Sequence, residues 1–212
     1  MVVCELFTSI QGESTLQGLP TVFVRLTGCN LHCRWCDSEY ARSVGVEMDC
    51  REVQTAIINS GVNAVCITGG EPLLQPDAVT CITNYCVDRG LIVSIETNGS
   101  LDASSIPRGA RRIIDVKCPS SGEAGSTHPA NFDTIRPGDE FKFVVADRDD
   151  FNYACDVATE HDLATRSTIL VSPVSGILAP AVLADWLCAD MPGARMNLQI
   201  HRIIWPETDR GR

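Results

Sequence analysis

The chain has 212 residues, of which 44% are hydrophobic and 21% are charged, a composition typical of a globular protein and not of a disordered one. Its length fits one domain. Seventeen lysines and arginines stand against 27 aspartates and glutamates, and the resulting net charge of −10 argues against nucleic-acid binding, because an acidic surface repels a phosphate backbone.

The first residues show no basic segment followed by an apolar one, so we expect no signal peptide. No apolar run approaches the roughly 18 residues of a membrane helix, and we expect a cytoplasmic protein without a membrane anchor. In that compartment the 11 cysteines are expected to be metal ligands or buried small hydrophobic residues, and not disulfides.

Short β-branched runs alternate with longer helical segments. The predicted strands cover residues 21–26, 64–68, 91–96, 112–117, 140–145, 168–171 and 196–199, with a short extra strand near 3–7. The predicted helices cover residues 50–60, 77–89, 149–161 and 180–189. This alternation is typical of a parallel sheet covered by helices. Because a closed eight-stranded barrel needs about 250 residues, we expect one α/β domain over residues 1–212, folded as an incomplete TIM-like (β/α) barrel of about six to seven mostly parallel strands.

In such folds the reacting groups lie at the carboxyl ends of the strands. The polar residues that end the predicted strands are Thr68, Glu96, Asp115, Lys117 and Ser172. A Gly-, Ser- and Pro-rich loop over residues 120–137 is in a position to cover a site at this edge.

Three cysteines follow the strand at 21–26 with the spacing C-x3-C-x2-C: Cys29, Cys33 and Cys36. Cysteine thiolates hold [4Fe–4S] clusters, normally four to a cluster. Three leave one iron without a protein ligand, so that a small molecule can bind there. A zinc site with His32 or Cys50 as the fourth ligand, or simple packing of thiols, are the alternatives. The remaining cysteines lie in apolar or helical contexts and are expected to be core residues.

The cysteine loop resembles that of the radical S-adenosylmethionine superfamily, with Trp35 before the last cysteine. Gly69-Gly70-Glu71-Pro72 follows the next predicted strand, at 64–68, and resembles the GGEP motif of that superfamily. The resemblance implies a [4Fe–4S] cluster on Cys29, Cys33 and Cys36 as the catalytic centre, with S-adenosylmethionine bound to its open iron. It also implies that Trp35 borders the adenine and that Gly70 and Glu71 lie at the methionyl amine.

The N-terminal segment Ile10-Gln11-Gly12-Glu13 resembles the signature of the 7-carboxy-7-deazaguanine synthase family within this superfamily. There the segment and a following arginine, matched by Arg25, bind 6-carboxytetrahydropterin. The resemblance makes Ser38 a ligand of Mg²⁺. It assigns further substrate contacts to residues near the ends of later strands and close to the C-terminus: Thr68, Glu96 and His201.

Two further segments resemble the family's S-adenosylmethionine contacts, namely Asp115-Val116-Lys117 and Ser172-Pro173-Val174-Ser175. The first replaces a Ser-Pro-Lys sequence, so Lys117 matches better than its two neighbours, and the second has Ser172 where the family has glutamine. Ser14 stands where the family commonly has glycine. Lys142 is predicted either to line the site or to lie outside it.

The function that the resemblance implies is the ring contraction of 6-carboxy-5,6,7,8-tetrahydropterin to 7-carboxy-7-deazaguanine with loss of ammonia, on the route to queuosine. The implied partners are a flavodoxin or ferredoxin as electron donor and a second copy of the chain in a homodimer. The implied substrate is a small molecule, and neither a nucleic acid nor a membrane is expected as a partner. One alternative is an activating enzyme for glycyl-radical enzymes, and another is a non-catalytic zinc or iron–sulfur protein.

Overall fold

A computed structural model describes residues 1–208, 210 and 211. The described chain forms one nine-stranded sheet. Its strands are β1 (Val2–Ile10), β2 (Pro20–Leu26), β3 (Val46–Glu47), β4 (Ala64–Gly69), β5 (Ile92–Thr97), β6 (Ala110–Val116), β7 (Glu140–Val145), β8 (Thr168–Pro173) and β9 (Arg195–Met196).

The helices are α1 (Cys50–Asn59), α2 (Pro76–Val87), α3 (Ala130–Asp133), α4 (Arg148–Glu160), α5 (Leu163–Arg166), α6 (Pro180–Asp190) and α7 (Ile200–Ile204). The four predicted helices are confirmed as α1, α2, α4 and α6 to within one or two residues at each end. Helix α1 begins with a capping box, in which Asp49 accepts from the Glu52 N–H at 2.9 Å and Glu52 accepts from the Asp49 N–H at 2.8 Å. No helix of the described chain has the length and apolar character to cross a membrane.

The sheet has the strand order β3-β1-β2-β4-β5-β6-β7-β8-β9. From β2 onward in this order all neighbours are parallel, whereas β1 runs antiparallel to both β2 and β3. Because β3 and β9 are free edges in the described chain, the barrel stays open. The predicted incomplete barrel of mostly parallel strands is confirmed.

The last strand differs from its prediction at 196–199. It comprises only Arg195–Met196, because the next residues leave the sheet. The Asn197 N–H still bonds the Val171 carbonyl at 2.9 Å, but the Ile200 N–H bonds the carbonyl of Gly12 at 3.1 Å, which draws the chain across the barrel into α7.

Alternation along each strand separates the packed core from the interior of the barrel. In β7, Phe141, Phe143 and Val145 belong to the hydrophobic core, whereas Lys142 and Val144 line the interior. The other central strands follow the same rule, with apolar core residues alternating with interior residues that are mostly polar. The interior polar residues are Arg25 on β2, Thr68 on β4, Glu96 on β5 and Asp115 on β6.

The segment after β1 enters the barrel interior. The Gln11 N–H bonds the Leu19 carbonyl and the Gly18 N–H bonds the Gln11 carbonyl, both at 2.8 Å, which closes the segment into a loop. Ser14 has φ of +66°, a conformation that favours glycine, and its Oγ accepts from the Leu16 N–H at 3.0 Å. The loop thereby brings its first residues toward the site.

The cysteines outside the loop differ partly from expectation. Cys50 and Cys81 form a disulfide between α1 and α2, so the prediction that they are unpaired core residues is wrong. Cys66, Cys86 and Cys118 are buried and free, as predicted, whereas the prediction of a core position is wrong for Cys188, which is exposed on α6.

Candidate active site

A cavity of about 410 Å³ opens at the carboxyl ends of the parallel strands. It is lined by eighteen of the predicted site residues: Ile10, Gln11, Gly12, Glu13, Arg25, Cys29, Cys33, Trp35, Cys36, Ser38, Thr68, Gly70, Glu96, Asp115, Lys117, Val174, Ser175 and His201. Residues far apart in sequence therefore share one chamber. Four other predicted residues do not line it in the described chain: Glu71, Val116, Ser172 and Pro173.

The cysteine loop is held against the turn that follows β4. The Gly28 carbonyl accepts from the Glu71 N–H at 2.7 Å, and the Gly28 N–H bonds the Ala41 carbonyl at 2.8 Å. A Cβ at Gly70 would overlap the Gly28 carbonyl and the Cys29 side chain, so only glycine permits this close approach. The start of the cysteine loop at Gly28 and the turn at Gly70 therefore pack directly against each other.

Cys29, Cys33 and Cys36 are all free thiols on the wall of the cavity. The Asn98 amide, which follows β5, lies 3.7 Å from the Cys29 Sγ and donates to the Asn30 side chain at 3.1 Å. Three unpaired cysteines from one short loop, with an amide donor at one sulfur, fit the cysteine ligation of an iron–sulfur cluster. The zinc alternative lacks support from the geometry, because Cys50 is in the disulfide and His32 does not line the cavity.

Glu71 lies behind the cavity wall. Its buried carboxylate accepts from the Leu73 N–H at 2.9 Å, the Asn98 N–H at 2.7 Å and the Thr97 hydroxyl at 2.8 Å. Burial raises the pKa of Glu71 despite these donors. The carboxylate therefore joins the loops after β4 and β5.

Alternation explains why Val116 lies in the core while its two neighbours line the cavity, but it does not explain Ser172, which lies opposite the cavity residue Val144 in the sheet register. Val116 packs in the hydrophobic core between Asp115 and Lys117, which line the cavity and pair with each other at 2.7 Å. Ser172 is buried, with its hydroxyl 3.3 Å from the side chain of Asn197.

Another wall of the cavity carries a row of hydrogen bonds that joins the segment after β1 to β5 and β4. Gln11 donates to the Glu96 carboxylate at 3.2 Å, and the Thr68 hydroxyl lies 3.4 Å from its other oxygen. Burial raises the pKa of Glu96, and the nearby Glu13 carboxylate adds to this effect while Lys142 opposes it.

Arg25 is held in place by its Nε. This atom donates to Glu5 at 3.2 Å, the cross-strand partner of Arg25, and Glu5 also accepts from the Tyr40 hydroxyl at 2.7 Å. Neither terminal guanidinium nitrogen has a hydrogen-bond partner within the described residues. The two remaining nitrogens can therefore bind a carboxylate in a bidentate manner.

Glu13, Asp37 and His201 bring one ligand atom each to within 4.8 Å of one another. His201 packs on Gly12, where a Cβ would overlap its imidazole. Burial lowers the pKa of His201 against the opposing effects of Glu13 and Asp37. Ser38, buried and adjacent to Asp37 in sequence, lines the same cavity.

Several cavity residues were missed by sequence reasoning or left open. Lys142 is ion-paired with Glu13 at 2.5 Å, and Gln199 donates to the other oxygen of Glu13 at 2.7 Å. The alternation with Phe141 and Phe143 was a usable signal for Lys142. Asp37 and Asn98, which also line the cavity, stand beside predicted motifs but have no pattern of their own.

The comparisons with known proteins agree with this geometry. Residues 23–120 match the model of the Radical SAM superfamily. A 7-carboxy-7-deazaguanine synthase from Koribacter versatilis is 39% identical over 223 residues, covering 98% of this chain and 99% of its own. The synthase from Methanospirillum hungatei is 40% identical over 204 residues, covering 96% and 85%. The crystal structure of QueE from Escherichia coli shares the fold, with a TM-score of 0.75 at 20% identity over 93% of this chain and 92% of that one.

Proposed function

This chain belongs to the 7-carboxy-7-deazaguanine synthase family and is a lyase of the radical S-adenosylmethionine superfamily, and from that premise we propose how its cavity performs the reaction. The substrate is 6-carboxy-5,6,7,8-tetrahydropterin, which is contracted to 7-carboxy-7-deazaguanine with loss of ammonia. The observation that carries the proposal is one chamber with three free cysteines on one wall and Arg25 with the Gln11–Glu96 pair on another. The relatives do not favour the glycyl-radical activating alternative.

Cys29, Cys33 and Cys36 hold a [4Fe–4S] cluster, and Asn98 supports Cys29. When bound, the cluster and S-adenosylmethionine supply the radical that removes a hydrogen atom from the pterin. The chain's part is to bind both ligands side by side, to orient them and to exclude water from the chamber.

Residues on the cysteine side of the cavity orient S-adenosylmethionine. Trp35, Val174 and Ser175 offer surfaces for the nucleoside, and the Asp115 carboxylate suits a cationic ligand. Gly70 leaves the backbone accessible to the methionyl amine. Four residues act from behind the wall by holding these strands and loops: Glu71, Val116, Ser172 and Pro173.

Residues on the other side orient the pterin. Arg25 binds its carboxylate through the two unpaired nitrogens, and His201 adds a neutral donor or acceptor. Glu96 and Glu13 accept from the N–H groups of the pterin edge, with Thr68 and Gln11 fixing Glu96. Ile10 contributes apolar surface beside them.

Ser38 would be a protein ligand of Mg²⁺, and the ion would supply positive charge near the substrate carboxylate. The oxygens of Glu13 and Asp37 lie in the same part of the cavity and supply the hard, negative surroundings that this cation prefers. The electron donor is a flavodoxin or a ferredoxin, and the enzyme works in the cytoplasm as a homodimer on a small molecule. The net charge of −10 fits a substrate that is not a nucleic acid.

Anaerobic incubation of the iron-reconstituted protein with the pterin, S-adenosylmethionine and dithionite tests the function by mass analysis. We expect 7-carboxy-7-deazaguanine, without net consumption of S-adenosylmethionine, and slower turnover when Mg²⁺ is omitted. Cleavage of S-adenosylmethionine with no change in the pterin would contradict the assigned substrate. If the protein holds stoichiometric zinc and no iron after reconstitution, the proposal that it carries an iron–sulfur cluster and acts as a radical S-adenosylmethionine enzyme is wrong.

The contact between Gly12 and His201 gives a sharper test of the pterin side. Replacing Gly12 with alanine is expected to push the imidazole of His201 aside and to raise KM for the pterin about ten-fold or more, because small displacements of binding groups are costly. Gly193→Ala is the matched control, since its added Cβ would meet only the Ala164 side chain at 3.9 Å. A KM within two-fold of the unmodified enzyme would remove His201 from the pterin site.

A further inference from the structure

We propose that Lys142 is a positioning residue that couples the two sides of the cavity, because its ammonium lies between Glu13 on the pterin side and Asp115 on the S-adenosylmethionine side. The inference rests on the function proposed above. It assigns to Lys142 the task of keeping the two carboxylates in fixed relative positions, so that the pterin and the cofactor meet in the productive arrangement.

The strand places Lys142 inside the barrel. Phe141 and Phe143 on either side are fully buried in the core, so alternation turns the lysine toward the cavity. The side chain is only 11% exposed. Its Nζ lies 2.5 Å from Glu13 Oε2 and 3.7 Å from Asp115 Oδ2. Within the described chain it is the one cation within 4 Å of both carboxylates.

Each of these carboxylates has one further donor of its own. Glu13 Oε1 accepts from Gln199 at 2.7 Å, and Asp115 Oδ2 pairs with Lys117 at 2.7 Å. These contacts form a continuous row of side chains in the order Gln199, Glu13, Lys142, Asp115 and Lys117. It joins the segment before α7 to the end of β6 across the barrel, and Lys142 is its central member.

The charges show why a neutral residue would not serve at this position. Burial would raise the pKa of Glu13, but the charge and hydrogen bond of Lys142, together with a hydrogen bond from Gln199, outweigh it, and the pKa lies below its ordinary value. Burial would likewise lower the pKa of Lys142, yet Glu13, Asp115 and Glu96 hold it well above the usual value. Removing the lysine would leave the buried Glu13 carboxylate without its counter-ion, and such a group takes up a proton or reorients, while Asp115 would keep only Lys117 and lose its link to Glu13.

The direct test is Lys142→Met, which keeps the aliphatic length and removes the charge. We expect the dissociation constant of the pterin, measured by anaerobic calorimetry, to rise about ten-fold or more, because a buried charge loses its partner. We also expect the amount of 7-carboxy-7-deazaguanine formed per 5′-deoxyadenosine released to fall by about the same factor, since poor alignment favours unproductive cleavage. Arg148→Met is the control, as it removes a cation 2.6 Å from Asp190 on the exposed surface.

A double variant, Glu13→Gln with Lys142→Met, removes both charges and leaves no uncompensated partner, so it keeps the test valid if the single variant folds poorly. We expect it to lose no more than the worse single variant, since the two residues act as one unit. Additive losses would overturn the proposal. So would a pterin affinity and a product ratio within two-fold of the unmodified enzyme, or a loss of activity with an unchanged ratio, which would make Lys142 purely structural. Failure of the unmodified enzyme to convert the pterin would instead count against the proposed function.

Discussion

Replacing Cys33 with alanine is expected to abolish turnover, with a loss of about 1,000-fold or more, since the entire barrier reduction depends on the cofactor. Cys33 stands in the middle of the loop, and all three cysteines line the same cavity. A cluster held by two thiolates has lost one of its few protein ligands. Iron content and the visible absorption of the reconstituted protein should fall together with the activity.

Cys188→Ala is the matched control for this experiment. Cys188 is also a free cysteine, but it is exposed on α6 and does not line the cavity. The control should assemble the cluster and turn over normally. Normal iron content and activity in the Cys33 variant would show that the loop does not hold the cluster.

Replacing Arg25 with alanine is expected to raise KM for the pterin by about 100-fold or more, because removing one partner of a buried charged contact typically costs 2–5 kcal/mol. Cleavage of S-adenosylmethionine in the absence of pterin should change little, since Arg25 lies on the wall that we assign to the pterin. The measurement is KM for the pterin, compared with the rate of 5′-deoxyadenosine release.

Two further variants separate charge from geometry at this position. Arg25→Lys keeps a cation but loses the planar pair of donors, so we expect an intermediate loss of about ten-fold. Arg148→Ala removes an arginine that is 44% exposed and does not line the cavity, and KM should not change. If Arg25→Ala binds the pterin as the unmodified enzyme does, the carboxylate is bound elsewhere.

Much of this architecture was predictable because it depends on local patterns. Three features could be recognised within short stretches of sequence, because each meets a need of the nearby backbone or of a ligand. They are the cysteine spacing, the glycines of Gly69-Gly70 and the β-branched runs. The fold adds that the strands carrying Arg25, Thr68, Glu96 and Asp115 are neighbours, so their polar residues form one row.

The errors and omissions have physical causes as well. Ser172 lies opposite the cavity residue Val144 in the sheet, but it is fully buried with its hydroxyl 3.3 Å from Asn197, a contact that no local pattern contains. Val116 was assigned to the cofactor together with Asp115 and Lys117, although consecutive residues of a strand face opposite sides. That rule alone, applied to β7, would also have turned Lys142 inward. The pairing of Glu13 with Lys142 joins residues 129 positions apart, and no local pattern contains such a contact. The Cys50–Cys81 disulfide likewise depends on how α1 and α2 pack.

The proposed function depends most directly on Cys29, Cys33 and Cys36 leaving one iron of the cluster free for S-adenosylmethionine. Electron–nuclear double resonance of the reduced protein, with S-adenosylmethionine labelled with ¹⁵N at the amine and ¹⁷O at the carboxylate, measures this directly. We expect hyperfine coupling of both labels to the cluster. A cluster spectrum that does not change on addition of the labelled cofactor, with all four irons bound by the polypeptide, would contradict it.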